Sequence, residues 1–113
     1  MVKLYGIPNC NKIRNTIKIL EEKNIEYEFI NVRKTPISED QLKKVVDFLG
    51  MAAIFNKKGT TYRRLNLNYE SMNDQARFEN IQNEQSMIKR PLIERDGKFH
   101  VGFDEQEIVK FVQ

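Results

Sequence analysis

Cysteine is all but absent. Cys10 is the only one in 113 residues, so no disulfide can form within the chain and the fold must stand on its core. A lone free thiol suits a reducing compartment. Histidine is as scarce, with His100 alone, and one cysteine far from one histidine does not make a structural zinc site. No apolar run approaches the roughly 20 residues that cross a bilayer. The start, M-V-K-L-Y-G, lacks the basic stretch, apolar segment and cleavage site of a leader. A cytoplasmic location without a membrane partner is therefore expected. Dense basic runs are missing too: the formal charge is +3, and K-K-V, N-K-K-G and Y-R-R-L are short. Direct nucleic-acid binding is not expected. Gly6 and Gly102 form neither a G-x-G-x-x-G nor a Walker A phosphate loop.

What is present fits one packed domain over 1–113, with 40% hydrophobic and 31% charged residues. Residues 2–6, V-K-L-Y-G, alternate as a short strand does. Beyond Pro8 the pattern turns helical from Asn11, with Ile13, Ile17 and Leu20 on one face. Residues 27–32, Y-E-F-I-N-V, alternate again. A strand, a crossover helix and a strand favour parallel pairing. Ser38 followed by Gln41 is a capping-box signature for a helix over 39–49, which Gly50 can end. Residues 51–55 suggest a short helical turn, N-K-K-G-T-T a loop, and N-L-N-Y-E-S-M the start of a further helix. The polar stretch 73–84 reads as one surface helix or two shorter ones. Pro91 to Glu94 and Phe99 to Val101 are strands around an Asp96-Gly97 hairpin turn, and Asp104 can cap a last helix. The result is an α/β fold: a four-stranded mixed sheet flanked by helices, with a helical insertion at about 36–87.

On this layout Cys10 opens the first helix, where backbone N–H groups without intrahelical acceptors favour a thiolate over a thiol. Arg14, one turn on, could pair with that thiolate or with an anionic substrate. The other reading, a cysteine serving as a small apolar residue, stays open. No C-x-x-C exists, since Ile13 takes the fourth place. Any redox cycle therefore needs a resolving thiol from another molecule. Arg90, just before Pro91, could grip an oxyanion or carboxylate with its planar fork, or serve as a surface arginine. Lys57, Lys58, Arg63 and Arg64 surround G-T-T-Y, either over an anionic pocket or as a solvated loop.

Three blocks carry a resemblance that spans almost the whole chain: L-Y-G-I-P-N-C-N-K-I-R-N-T-I, F-N-K-K-G-T-T-Y-R-R-L, and I-K-R-P-L-I followed by D-G-K-F-H-V-G-F-D-E-Q-E-I. Their order and spacing resemble the arsenate reductase/Spx superfamily, or ArsC-like family, and its short YffB-like members. The resemblance implies a thioredoxin-like fold and a thiol-dependent oxidoreductase. It makes Cys10 the nucleophile, gives Arg14 and Arg90 catalytic roles, and implies a cis Pro91. Asn9, Asn11, Lys12, Arg63, Arg64 and Pro91 are the expected substrate contacts. No bound cofactor or metal is implied; glutathione or a similar small thiol would be the co-substrate, with glutaredoxin as a further partner. Arsenate reductases carry further arginines where this chain has Ala52, Ala53, Ile54 and Phe55, and near Gly102-Phe103. Their absence argues against arsenate and for a glutathione-dependent thiol reductase. The Spx branch instead binds the C-terminal domain of the RNA polymerase α subunit and regulates transcription. Gly50 falls near a glycine used there for that contact, which makes an Spx-like regulator the alternative.

Overall fold

The computed structural model describes residues 1–113. Strand β1 (Val2–Gly6), helix α1 (Asn11–Glu22) and strand β2 (Tyr27–Asn31) come first. The two strands pair in parallel with Leu4 opposite Phe29, as the intervening helix requires. Helices α2 (Glu39–Leu49), α3 (Met51–Ile54), α4 (Thr60–Arg64) and α5 (Asp74–Asn83) follow, with 3-10 turns at Tyr69–Ser71 and Gln85–Met87. Strands β3 (Leu92–Arg95) and β4 (Lys98–Val101) form a hairpin, and α6 (Glu105–Val112) closes the chain. The sheet order is β2-β1-β3-β4, with β3 antiparallel to both neighbours. This is a thioredoxin-like α/β fold.

Strand alternation divides the core between the two faces of the sheet. Leu4 and Ile93 pack with Ile13 and Leu20 of α1 and with Ile108 and Val112 of α6. Tyr5 and Leu92 point the other way, into a cluster with Leu42, Val45, Ile54 and Phe55 from the helical section. On α1 the buried residues are Ile13, Thr16, Ile19 and Leu20, with Ile17 only half-buried. Thr16 is admitted because its hydroxyl donates to Lys12 O at 2.7 Å, which satisfies its polar group locally.

The local signals for α2 and the hairpin hold. Ser38 Oγ accepts the Gln41 N–H at 3.2 Å, and Gly50 ends α2 at φ 89°. Asp96 and Gly97 take φ of 53° and 75°, the left-handed pair that a tight hairpin turn demands. Between 58 and 72 the expectation shifts. Thr60 and Thr61 begin α4 instead of extending a loop, and the further helix shrinks to one 3-10 turn. Asn66 adopts φ 53°, which interrupts the helical path, and the Tyr69 N–H donates to Tyr62 Oη at 2.8 Å. Arg77 then stacks 3.8 Å from the Tyr69 ring centre and donates twice to its carbonyl, holding the irregular segment.

Tyr5 lies at the sheet centre with its hydroxyl 3.3 Å from Glu94 Oε1. Burial, then the Glu94 charge, push its ionisation from an ordinary 10.0 up to about 12. The folded state thus holds this proton more tightly than the unfolded chain does. Its stabilising effect is complete below pH 10 and is lost as pH rises from there toward 12. A Tyr5→Phe variant should therefore lose less Tm than the parent across that window. Equal losses in a melting series against pH would refute the assignment.

Candidate active site

Gly6 determines how α1 meets the sheet. A Cβ there would stand 2.9 Å from Ile13 Cγ1 and closer still to Cδ1, and Ile13 is buried. Glycine thus lets the first turn of α1 abut the end of β1. The connection Ile7-Pro8-Asn9 turns with Asn9 at φ 62°, a region asparagine tolerates. Cys10 follows as the N-cap of α1, extended at φ −115° and ψ 127°. It is half-buried, resting beside the core shared by α1 and α6. Its carbonyl accepts the Arg14 N–H at 2.9 Å, and no side chain caps the helix. Arg14 is exposed, and its guanidinium donates to Asn11 Oδ1. Both Asn9 and Lys12 are exposed.

A recess of about 180 Å³ opens beside this connection. Ile7 and Met87 supply its apolar wall, and Arg33 and Arg90 its charge. Asn56, Gly59, Thr60, Thr61 and Ser86 complete it, so no carboxylate faces the two arginines. Neither arginine takes part in any of the six ion pairs of the chain. Two segments meet here through a bridge between Phe55 and Ile88, with Asn56 N–H to Met87 O and Lys89 N–H to Ile54 O, each 2.8 Å. Thr61 Oγ1 and Ser86 Oγ join across the same seam at 3.1 Å. The Arg90–Pro91 peptide is cis.

Arg90 is thus brought into a recess, whereas Cys10, Arg14, Arg63 and Arg64 do not line it. Arg63 Nη1 donates to Lys58 O at 2.8 Å, and Arg64 pairs with Glu84 at 3.5 Å. Pro91 is buried behind Arg90. Arg33 went unnoticed in the sequence. It stands two residues beyond β2, where its N–H donates to Asn31 Oδ1 at 3.0 Å and Val32 N–H continues the pairing to Gly6 O. That places it at the carboxyl ends of the two parallel strands, the edge where open α/β sheets receive ligands.

Fold and site together define a thioredoxin-like protein with one cysteine at the head of the first helix and an arginine before a cis-proline. The ArsC family model matches residues 5–111, and the chain belongs to that family. A global transcriptional regulator Spx of Listeria innocua is 32% identical over 114 residues, covering 99% of this chain and 87% of that protein. Among solved structures, a YffB protein superposes with a TM-score of 0.89 at 26% identity, each chain covered in full. An arsenate reductase from Vibrio cholerae gives 0.83 at 28% identity, covering 96% of this chain and 95% of that one.

Proposed function

We propose that this chain is a glutathione-dependent thiol reductase with Cys10 as its nucleophile. The observation that carries the reading is a half-exposed thiol at an uncapped helix start, three residues from the wall of an acid-free recess with two arginines. In the proposed cycle the Cys10 thiolate attacks the glutathione sulfur of a mixed disulfide R–S–S–G. The disulfide bond breaks, RS⁻ leaves and takes up a proton, and Cys10–S–S–G remains. A second glutathione thiolate then attacks the glutathione sulfur of that adduct and returns the Cys10 thiolate. The net change is RSSG plus GSH to RSH plus GSSG. The resolving thiol is external because the chain has no second cysteine. Arsenate is not the substrate we propose.

A second reading is favoured by one observation. An acid-rimmed groove of about 750 Å³ lies between α2 and α5 beside Gly50, with Val46, Met51 and Phe78 in its walls. It fits the alternative of an Spx-like regulator that binds the RNA polymerase α C-terminal domain, and relatives of this chain are global transcriptional regulators Spx.

Mass spectrometry after exposure to oxidised glutathione separates the two. One glutathione per chain on Cys10, released by reduced glutathione as the disulfide, is the expected result. A chain that takes no adduct yet binds the polymerase domain stoichiometrically would reverse the order of the two readings.

A further inference from the structure

The recess is rich in hydrogen-bond donors and has no acid to neutralise it. Arg33 and Arg90 line it, and neither has an ion-pair partner. Asn56 Oδ1 is already occupied by the Lys58 N–H at 3.1 Å, which leaves the amide nitrogen as the donor. Gly59 makes room for it, since a Cβ there would stand 2.8 Å from Asn56 Nδ2. Thr61 and Ser86 use one hydroxyl proton between them, which leaves the second available as a donor. Such a set matches a planar anion with several acceptor oxygens, above all a carboxylate held by an arginine fork.

Size and reach narrow the ligand. At about 180 Å³ the recess admits an end group and not a whole molecule, since drug-sized ligand pockets begin near roughly 300 Å³. Ile7 lines it and Cys10 follows three residues later, a stretch of backbone that spans at most about 11 Å. A tripeptide-sized molecule anchored by one end in the recess can therefore bring a sulfur to Cys10.

We infer that Arg33 and Arg90 form a carboxylate subsite that holds the anionic end of the small thiol and selects it over neutral thiols. This deepens the reductase reading and rests on it for the identity of the thiol. Arg33 is the specificity-determining member, because it stands apart from the Arg90–Pro91 turn on a segment tied to β2.

The test is calorimetric binding of S-methylglutathione to the Cys10→Ser chain, where no thiol chemistry can intervene. Arg33→Gln should weaken binding at least about tenfold, the loss of one charge-assisted contact, and Arg33→Lys should recover part of it. Methyl esters on the carboxylates of the probe should cost as much, while Lys98→Gln, on the far hairpin, should change nothing. Equal binding of acid and ester, or an Arg33→Gln chain that binds as the parent does, overturns the subsite. Intact, arginine-dependent binding in a parent chain that never turns over upholds the subsite and removes the reductase reading. Turnover without such binding does the reverse.

Discussion

Replacing Cys10 with serine is expected to lower glutathione-dependent thiol transfer by at least about a thousandfold, as removing a nucleophile does elsewhere. The fold should meanwhile become no less stable. Cys10 occupies an N-cap, a position that asks for serine, threonine, aspartate or asparagine, and its side chain makes no capping bond. Serine would supply the missing acceptor to the first turn, a gain of up to about 1 kcal/mol. The small apolar contact that Cys10 makes beside the α1–α6 core offsets part of that. Activity and stability therefore move in opposite directions. A purely structural cysteine would show the contrary: some loss of Tm and no catalytic effect, because nothing was catalysed. The measurement pairs steady-state turnover of a glutathione mixed disulfide with thermal melting. Turnover retained within about tenfold of the parent would remove Cys10 from the chemistry.

That cysteine also shows which parts of the molecule a sequence reader can reach. Ser38 is followed by the capping partner its position calls for, Asp96-Gly97 by the strand its turn implies, and both appear as expected. These signals are local, resolved within four residues, and no distant contact competes with them. The cysteine at the helix start is legible for the opposite reason, as a residue that fails its local role. Thr16 was hidden because its polarity is cancelled by its own helix, so the inward face looked like 13, 17 and 20 instead of 13, 16 and 20. Arg14 has the right spacing to face the thiol, yet spacing does not foresee that Asn11 would take its guanidinium. Arg33 had no pattern at all. Its position beside Arg90 follows from parallel pairing of β1 and β2 and from the Phe55–Ile88 bridge, contacts between segments far apart in the chain. Blocks of sequence brought out Arg63 and Arg64, whereas in the fold Arg63 donates to the nearby Lys58 carbonyl and Arg64 pairs with Glu84, 20 residues on.

The same long-range logic singles out Gln85, which local pattern would leave among the polar residues of a surface turn. It is 6% exposed, and its amide clamps the backbone of Ile37, 48 residues earlier. Ile37 N–H donates to Gln85 Oε1 at 2.7 Å, and Gln85 Nε2 donates to Ile37 O at 2.8 Å. This pair of bonds ties the entry of the helical section to its exit, just before the segment that carries Arg90. Gln85→Leu keeps the volume and leaves one buried N–H and one buried carbonyl without partners. The expected cost is about 2–4 kcal/mol, or a fall in Tm of about 8–17 °C for a chain of this length. A loss below about 1 kcal/mol would show that water satisfies both groups. Gln85→Glu sharpens the point through its pH dependence. A protonated carboxyl reproduces the amide, donating to Ile37 O and accepting from Ile37 N–H, whereas the carboxylate can only accept. Burial and the facing carbonyl both favour the protonated form, so the folded-state value of such a glutamate lies above the unfolded value of about 4.3. Its stabilising contribution is then complete at low pH and lost as pH rises through the folded value. The glutamate variant should approach the parent below about pH 4 and fall toward the leucine variant at neutral pH. A flat difference between parent and glutamate variant across that range would mean that the clamp does not depend on the donor.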